Sequence, residues 1–474
     1  MDYIQEVLID PISRILWNYV LVYLLIGAGL WFTIRTRFVQ VRMFPQMIRT
    51  MSGSRQGSEG GISSFQAFAV GLASRVGTGN IAGVAIALTL GGPGAVFWMW
   101  VVGLIGMATG FVEATLAQIY KVRWPDGSFR GGPAYYIQTG LKSRAGGVVF
   151  AVLLIITFGV AFNMVQANTI SDVLKSAHTV DQKWSAIILA ALTAPVVFGG
   201  VRRIAKVAEL VLPFFALVYV LLAVVIIVTN LGSLPAVFSD IFSSAFGLNP
   251  ALAGTAGGIT AAMLNGAKRG LFSNEAGMGS APNAAATATV DHPVKQGLVQ
   301  SLGVFVDTII ICSSTAFIIL LAGPSVYVPG QTGAAAGASL TQTAVAALLG
   351  NWTTGLMTLL IFVFAFSSVL GNYSYAEVNL DFLGVGPRGL MLFRIVVIAS
   401  VLVGALIALE SVWAIADVAM GLMALVNLTA IILLGKWAFG ALADYQRQRA
   451  EGSDPVFAAE NNGSLPGVLP GDIW

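Results

Sequence analysis

The sequence predicts an all-α membrane protein of eleven transmembrane helices, in which one N-terminal helix precedes two five-helix units that repeat in inverted orientation. Three observations predict this. Hydrophobic residues make up 57% of the 474 and charged residues only 10%, where a soluble domain carries about 25% charged. No soluble interior holds so much apolar sequence, so the bilayer must be the solvent. Eleven stretches are long and apolar enough to cross it, at about 20 residues each. The basic residues fall in alternate connections between those stretches.

The first stretch, Ile15–Ile34, has no basic n-region and no small-residue cleavage site, and reads as a retained helix rather than a signal peptide. Residues 1–63 comprise it and a basic connection. The first five-helix unit, residues 64–230, holds Ser64–Leu90, Pro93–Tyr120, Gly147–Ala177, Trp184–Gly200 and Ala205–Asn230. A nearly charge-free loop, Leu231–Pro250, follows. The second unit, residues 251–440, holds Ala251–Gly266, Gly297–Gly323, Trp352–Asp381, Leu390–Leu409 and Ser411–Gly440. Five is odd, so a second copy of the unit must enter from the opposite face, the plan of many secondary transporters. The polar tail, residues 441–474, reads as a flexible cytoplasmic end.

Charge supports the count. One set of connections carries Arg35, Arg37, Arg42, Arg49 and Arg55, then Lys121, Arg123, Arg130, Lys142 and Arg144, then Arg202, Arg203 and Lys206. It continues with Lys268, Arg269 and Lys295, then Arg388 and Arg394, then Lys436, Arg447 and Arg449. The other side has Arg14, Lys175 and Lys183. The positive-inside rule makes the first set cytoplasmic, with the N-terminus outside and the tail inside. The single cysteine, Cys312, excludes an intrachain disulfide. His178 and His292 lie in polar connections, which argues against a histidine metal site. With no His-Glu-x-x-His and no intramembrane histidine, a membrane enzyme is disfavoured. A channel would show rings of charge or a symmetric filter. The net charge of +3 says little about partners beyond the bilayer, and nothing points to nucleic acid.

Both units open with a glycine cluster at mid-depth: Val76-Gly77-Thr78-Gly79-Asn80, and Gly254-Thr255-Ala256-Gly257-Gly258-Ile259-Thr260. Close packing through small residues is one reading. Matching positions favour another, unwound segments that line a site. A half-helix starting near Asn80 would turn free N–H groups and a positive dipole end toward a carboxylate. Carbonyls freed near Ala73 and Val76 suit a hard cation or an ammonium, and the Gly257–Thr260 break would offer carbonyls to an ammonium. Gln166 and Asn168, and Ser367, Ser368 and Asn372, interrupt apolar spans. They either complete such a site or bond neighbouring helices. Arg75, too deep to snorkel, needs a carboxylate, with Glu113, Glu209, Asp307, Glu377 and Asp417 as candidates.

These residues resemble the alanine or glycine:cation symporter family, and within it the YaaJ-like branch that carries Gly371-Asn372-Tyr373. The likeness covers nearly the whole chain. It rests on Val76-Gly77-Thr78-Gly79-Asn80-Ile81-Ala82-Gly83-Val84, on Gly91-Gly92-Pro93-Gly94-Ala95-Val96-Phe97-Trp98-Met99-Trp100, and above all on Gly270-Leu271-Phe272-Ser273-Asn274-Glu275-Ala276-Gly277-Met278-Gly279-Ser280. The resemblance implies the leucine-transporter-like five-plus-five inverted repeat of the APC superfamily, with one extra N-terminal helix. It also implies alternating access in a bacterial inner membrane, no cofactor, and symport of alanine, glycine or serine with Na+ or H+. By that resemblance the substrate contacts Gly77, Thr78 and Gly79 through backbone amides, with Phe162, Gln166, Gly257, Thr260 and Asn372 around it. Sodium lies between the carbonyls of Ala73 and Val76 and the hydroxyls of Ser367 and Ser368, and a second sodium uses Asn80. Many alanine-type members have tryptophan where this chain has Asn372. The smaller amide leaves room for a larger polar substrate such as glutamine, or else bonds its own helix backbone. The Ser273–Ser280 stretch reads either as a turn built on Gly277 and Gly279 or as an inner gate in which Glu275 pairs with a cation.

Overall fold

The computed structural model describes residues 3, 5–53, 62–125, 127–198, 201–248, 258–333, 337–460, 462–469 and 473–474, with only the backbone for 201–209. In chain order the main helices are α1 (Gln5–Arg35), α2 (Ser64–Arg75), α3 (Gly79–Gly91), α4 (Gly94–Ile119), α5 (Arg144–His178), α6 (Gln182–Val197) and α7 (Val201–Thr229). Then come α8 (Leu234–Ala245), α9 (Gly258–Asn274), α10 (Ala281–Ala286), α11 (Pro293–Leu321), α12 (Gly337–Leu349), α13 (Thr353–Leu383), α14 (Pro387–Gly404) and α15 (Leu409–Ala450). Eight of these elements, α1, α4, α5, α7, α11, α13, α14 and α15, contain stretches long and apolar enough to cross a membrane.

The other three expected spans differ from that simple form. Ser64–Leu90 divides into α2 and α3, and Trp184–Gly200 is the shorter α6. The span expected at Ala251–Gly266 is described only from Gly258, and it runs on to Asn274. Lys268 and Arg269, expected in a cytoplasmic connection, therefore lie inside a helix. Arg269 is buried, and its Nη2 donates to both carboxylate oxygens of Asp417 on α15 at 2.5 Å. Its guanidinium also stacks on Trp413, 4.4 Å from the ring centre. A charge neutralised by a distant partner looks, in the sequence, like a helix end.

Two stretches expected as connections are helices as well. The Leu231–Pro250 loop contains α8, which docks on Gly94 so closely that a Cβ there would lie 2.5 Å from the Ala245 nitrogen. The connection after Gly323 contains α12, whose Thr341 hydroxyl bonds the Ile81 carbonyl of α3 at 3.4 Å. The tail, expected to be flexible, instead packs: α15 continues to Ala450, the Phe457 N–H donates to the Asp291 carbonyl at 2.8 Å, and Trp474 Nε1 donates to the Gln118 carbonyl at 3.0 Å. Its apolar Phe457 and Leu469 are buried, which a polar average conceals.

Local chemistry explains where the site helices begin. Ser63 and Gln66 form a reciprocal capping box at the start of α2, each side chain accepting from the other's N–H at 3.1 Å. Pro293 opens α11, with His292 Nδ1 accepting from Val294 N–H at 3.2 Å. α4 lies at the centre, packed against α9 and α11. Small residues bring backbones into contact: a Cβ on Gly266 of α9 would stand 2.5 Å from the Ala95 carbonyl oxygen of α4, and one on Gly371 of α13 would stand 2.7 Å from the Ser74 nitrogen of α2.

Candidate functional site

α2 stops at Arg75. Val76 leaves the helix with ψ at 88°, and winding resumes at Gly79. Two buried peptide donors freed from the helix are held by side chains: Gly77 N–H donates to Asn80 Oδ1 at 2.9 Å, and Thr78 N–H to Gln166 Oε1 at 3.1 Å. The Asn80 amide nitrogen donates to Asp307 Oδ1 at 2.6 Å and to Ser273 Oγ at 3.1 Å. Asn80 thus ties α3 to α9 and α11. Glycine is sterically required here. A Cβ on Gly77 would fall 2.0 Å from Ser368 Oγ, and one on Gly79 would fall 2.8 Å from the Phe272 ring.

Ser367 and Ser368 donate to the Phe364 carbonyl of their own helix at 2.9 and 3.0 Å. The donor is spent inward, so each hydroxyl keeps lone pairs for an acceptor-seeking group. Ser368 meets Gly77, next to Val76, and both Ala73 and Val76 are fully buried. Phe162 stacks 4.3 Å from Phe272, which lies 4.5 Å from Trp413. Three segments wound with wider π turns pack near the interruption: Gly79–Gly83, Thr157–Ala161 and Phe305–Cys312. Such turns concentrate at functional sites.

Asn372 does not bond its own helix. Its Nδ2 donates to Asn163 Oδ1 at 3.0 Å and its Oδ1 accepts from Ser74 Oγ at 2.9 Å. Most of the second expected break, at Gly254–Thr260, falls on residues that are not described. Gly257 lies outside the described residues, and Thr260 is an exposed residue in the first turn of α9. At about 1.5 Å per residue it stands roughly 20 Å from Ser273. What meets the first interruption is the far end of α9 and the segment after it. Between Asn274 and Ala281 the chain leaves the helix, with φ of 58° at Glu275, 98° at Gly277 and 85° at Gly279. Positive φ is natural for the two glycines and a held, strained conformation for the glutamate.

Buried polar groups hold this second interruption. Glu113 Oε2 accepts from Gly277 N–H at 3.0 Å, while Asn427 Nδ2 donates to the Gly277 carbonyl at 3.0 Å and to Glu113 Oε1 at 2.5 Å. Tyr136 donates to Asn427 Oδ1. Glu275 sits between the hydroxyls of Ser74 at 2.5 Å and Ser280 at 2.6 Å. It forms no ion pair among the described residues, so the gate expected from a Glu275 cation pair is absent in that form. Arg75 likewise pairs with none of its expected carboxylates whose side chains are described. Its Nη1 donates to the Gln300 carbonyl at 3.4 Å, in space that a Cβ on Gly303 would occupy. Sequence reasoning missed Ser74, Asn163 and Asn427, and read the Ser273–Ser280 stretch only as a turn or a gate. The polar run Ser273-Asn274-Glu275 with Gly277-x-Gly279 carried the available signal.

The arrangement sets the Gly77 and Thr78 N–H groups and the Ser368 hydroxyl side by side at an interrupted helix. The sequence profile of the sodium:alanine symporter family matches residues 1–459. The amino-acid carrier protein AlsT of Bacillus subtilis is 50% identical, over 98% of this chain and 97% of its own length. The probable sodium/glutamine symporter GlnT of the same organism is 47% identical, over 96% and 94%. The sodium/alanine symporter AgcS of Methanococcus maripaludis is 40% identical, over 92% and 95%.

Proposed function

The chain belongs to the sodium:alanine symporter family, a family of multi-pass membrane transporters and not of enzymes, and on that premise we propose that it is a secondary active transporter. It couples uptake of a small neutral amino acid, alanine, glycine or serine, to Na+ by alternating access. The observation that carries this reading is the Val76–Thr78 interruption, whose peptide N–H groups face Gln166 and Asn80 and whose Gly77 touches Ser368.

The carbonyl oxygens of Asn80 and Gln166 hold the Gly77 and Thr78 donors here. A substrate carboxylate would take their place, drawn by the same N–H groups and by the positive end of α3. Phe162 and Asn372 bound the adjoining space. Sodium would sit between the carbonyls of Ala73 and Val76 and the hydroxyls of Ser367 and Ser368, an all-oxygen shell fit for a hard cation. Asn80, once released by the carboxylate, would offer its oxygen to a second Na+.

The same reading places eleven spans in a bacterial inner membrane, as an extra helix plus a five-plus-five inverted repeat, with the N-terminus outside and the tail inside. In it the two lead helices are α2–α3 and α9–α10, each interrupted mid-course. Glutamine is the second substrate reading, favoured by the amide at Asn372 and by the name that GlnT carries. Uptake of a panel of neutral amino acids by proteoliposomes, with and without a Na+ gradient, tests it. Accumulation of none of them under either a Na+ or an H+ gradient rejects the carrier reading. H+-driven accumulation that ignores Na+ rejects the sodium coupling alone.

A further inference from the structure

Three buried acids surround the two interruptions, Glu113, Asp307 and Glu275, and the directions of their hydrogen bonds separate them. Glu113 meets the donors Gly277 N–H and Asn427 Nδ2. Asp307 meets Asn80 Nδ2 at 2.6 Å and the hydroxyls of Ser273 and Thr308 at 2.5 and 2.9 Å. Both have the partners of ionised carboxylates. Glu275 does not.

The accounting starts at the Gly159 carbonyl, which can only accept. Asn163 must face it with Nδ2, at 3.1 Å, and so presents Oδ1 to Asn372. Asn372 must answer with its own Nδ2, at 3.0 Å, which turns its Oδ1 toward Ser74 at 2.9 Å. Ser74 has one hydroxyl proton, and Asn372 Oδ1 requires it. Toward Glu275 Oε1, 2.5 Å away, Ser74 can then only accept, so the proton between them belongs to the glutamate. An ionised Glu275 would set two acceptors face to face in a buried site or leave the Asn372 oxygen without a donor. Arg75 makes no direct ion pair with Glu275 among the described residues; its Nη1 is spent on the Gln300 carbonyl.

We propose that Glu275 is a proton-binding site, a neutral carboxylic acid in this closed arrangement that exchanges its proton with water when α2 separates from the Glu275–Gly279 segment. The inference rests on the carrier reading and adds one H+ to its bound ions. On separation the Oε1–H bond breaks, the proton passes to water, and the remaining carboxylate stands near Arg75. The groups facing Glu275 are Arg75 and Ser74 from α2, Asp307 from α11, Asn372 and the Tyr375 hydroxyl from α13, and Ser280 at the start of α10. Of these, Arg75 is the only cation.

Infrared spectroscopy of the full chain in lipid reads this proton directly. The wild type should show a carboxylic-acid C=O stretch, shifted by deuteration, that Glu275→Gln removes. A wild type without such a band, or a variant that keeps every such band, overturns the assignment. If Glu275→Gln is not recovered from the membrane, Ser74→Ala replaces it: loss of the hydrogen bond should move the band to higher wavenumber, and an unmoved band overturns the proposal. In proteoliposomes, amino-acid influx should acidify a lumen that holds a trapped pH dye, and influx without acidification overturns the exchange. Absence of any influx ends the carrier reading and leaves the infrared result standing, so the two failures are distinguishable.

Discussion

The contact between Gly77 and Ser368 can be tested by a double-mutant cycle. In Gly77→Ala the new Cβ would lie 2.0 Å from Ser368 Oγ, 3.1 Å from Ser368 Cβ and 3.2 Å from Gln166 Oε1. The hydroxyl must swing away, giving up its bond to the Phe364 carbonyl at 3.0 Å, which is worth about 0.5–1.5 kcal/mol. The remaining crowding adds about 1–3 kcal/mol, so the variant should lose about 2–4 kcal/mol. Ser368→Ala alone forfeits only the hydroxyl's bond. In the double variant the clashing oxygen is gone and the closest remaining contacts are those at 3.1 and 3.2 Å, which neighbours can absorb. The double variant should therefore be more stable than the sum of the singles predicts, by about 1–2 kcal/mol. Thermal unfolding of the purified protein measures this. Sodium activation of uptake separates the roles: it should be weak in Ser368→Ala and remain weak in the double variant, because the oxygen stays absent. Additive stabilities would show that the two residues do not touch, and normal sodium activation in Ser368→Ala would remove that hydroxyl from the cation shell.

Three further outcomes are expected. Asp417→Asn should cost about 3–5 kcal/mol by leaving Arg269 buried without its counter-charge, seen as a fall in unfolding temperature that Arg269→Met with Asp417→Leu largely recovers. Asn372→Leu strips Asn163 and Ser74 of partners and should cost about 1–3 kcal/mol, measured the same way; wild-type stability would contradict the chain of bonds. The third outcome concerns acidity. Burial pushes the His292 imidazole down to about 4 from its usual 6.5, against the upward pull of the hydrogen bond and charge of Asp444. Between those values the unfolded chain binds a proton that the folded chain refuses, so stability should fall on acidification through that window. His292→Asn keeps a side chain able to cap α11 and should flatten the fall; an unchanged pH profile of unfolding would exclude His292 as its source.

The first interruption was legible in the sequence because its signals are local. A glycine pair inside an apolar run, at Gly77 and Gly79, marks a place where the backbone can leave the helix, and the structure interrupts the helix there. Gln166 also stood out, as a polar residue in an apolar span, and it bonds the interrupted backbone. The interruption after Asn274 was hidden for an equally physical reason. Lys268 and Arg269 read as the end of a crossing, since charge in hydrocarbon is costly. The structure cancels that cost within the fold.

By itself the sequence determined the solvent, the helical class and the first interruption, because hydropathy and glycine act within a turn or two of the chain. Tertiary structure alone decided what each buried polar group faces. Arg269 is neutralised by Asp417, 148 residues away, and Ser74 meets Glu275, 201 residues away. Hydrogen bonds and ion pairs act over a few ångströms of space whatever their separation in the chain, so their partners, and the protonation those partners impose, become visible only once the helices are packed.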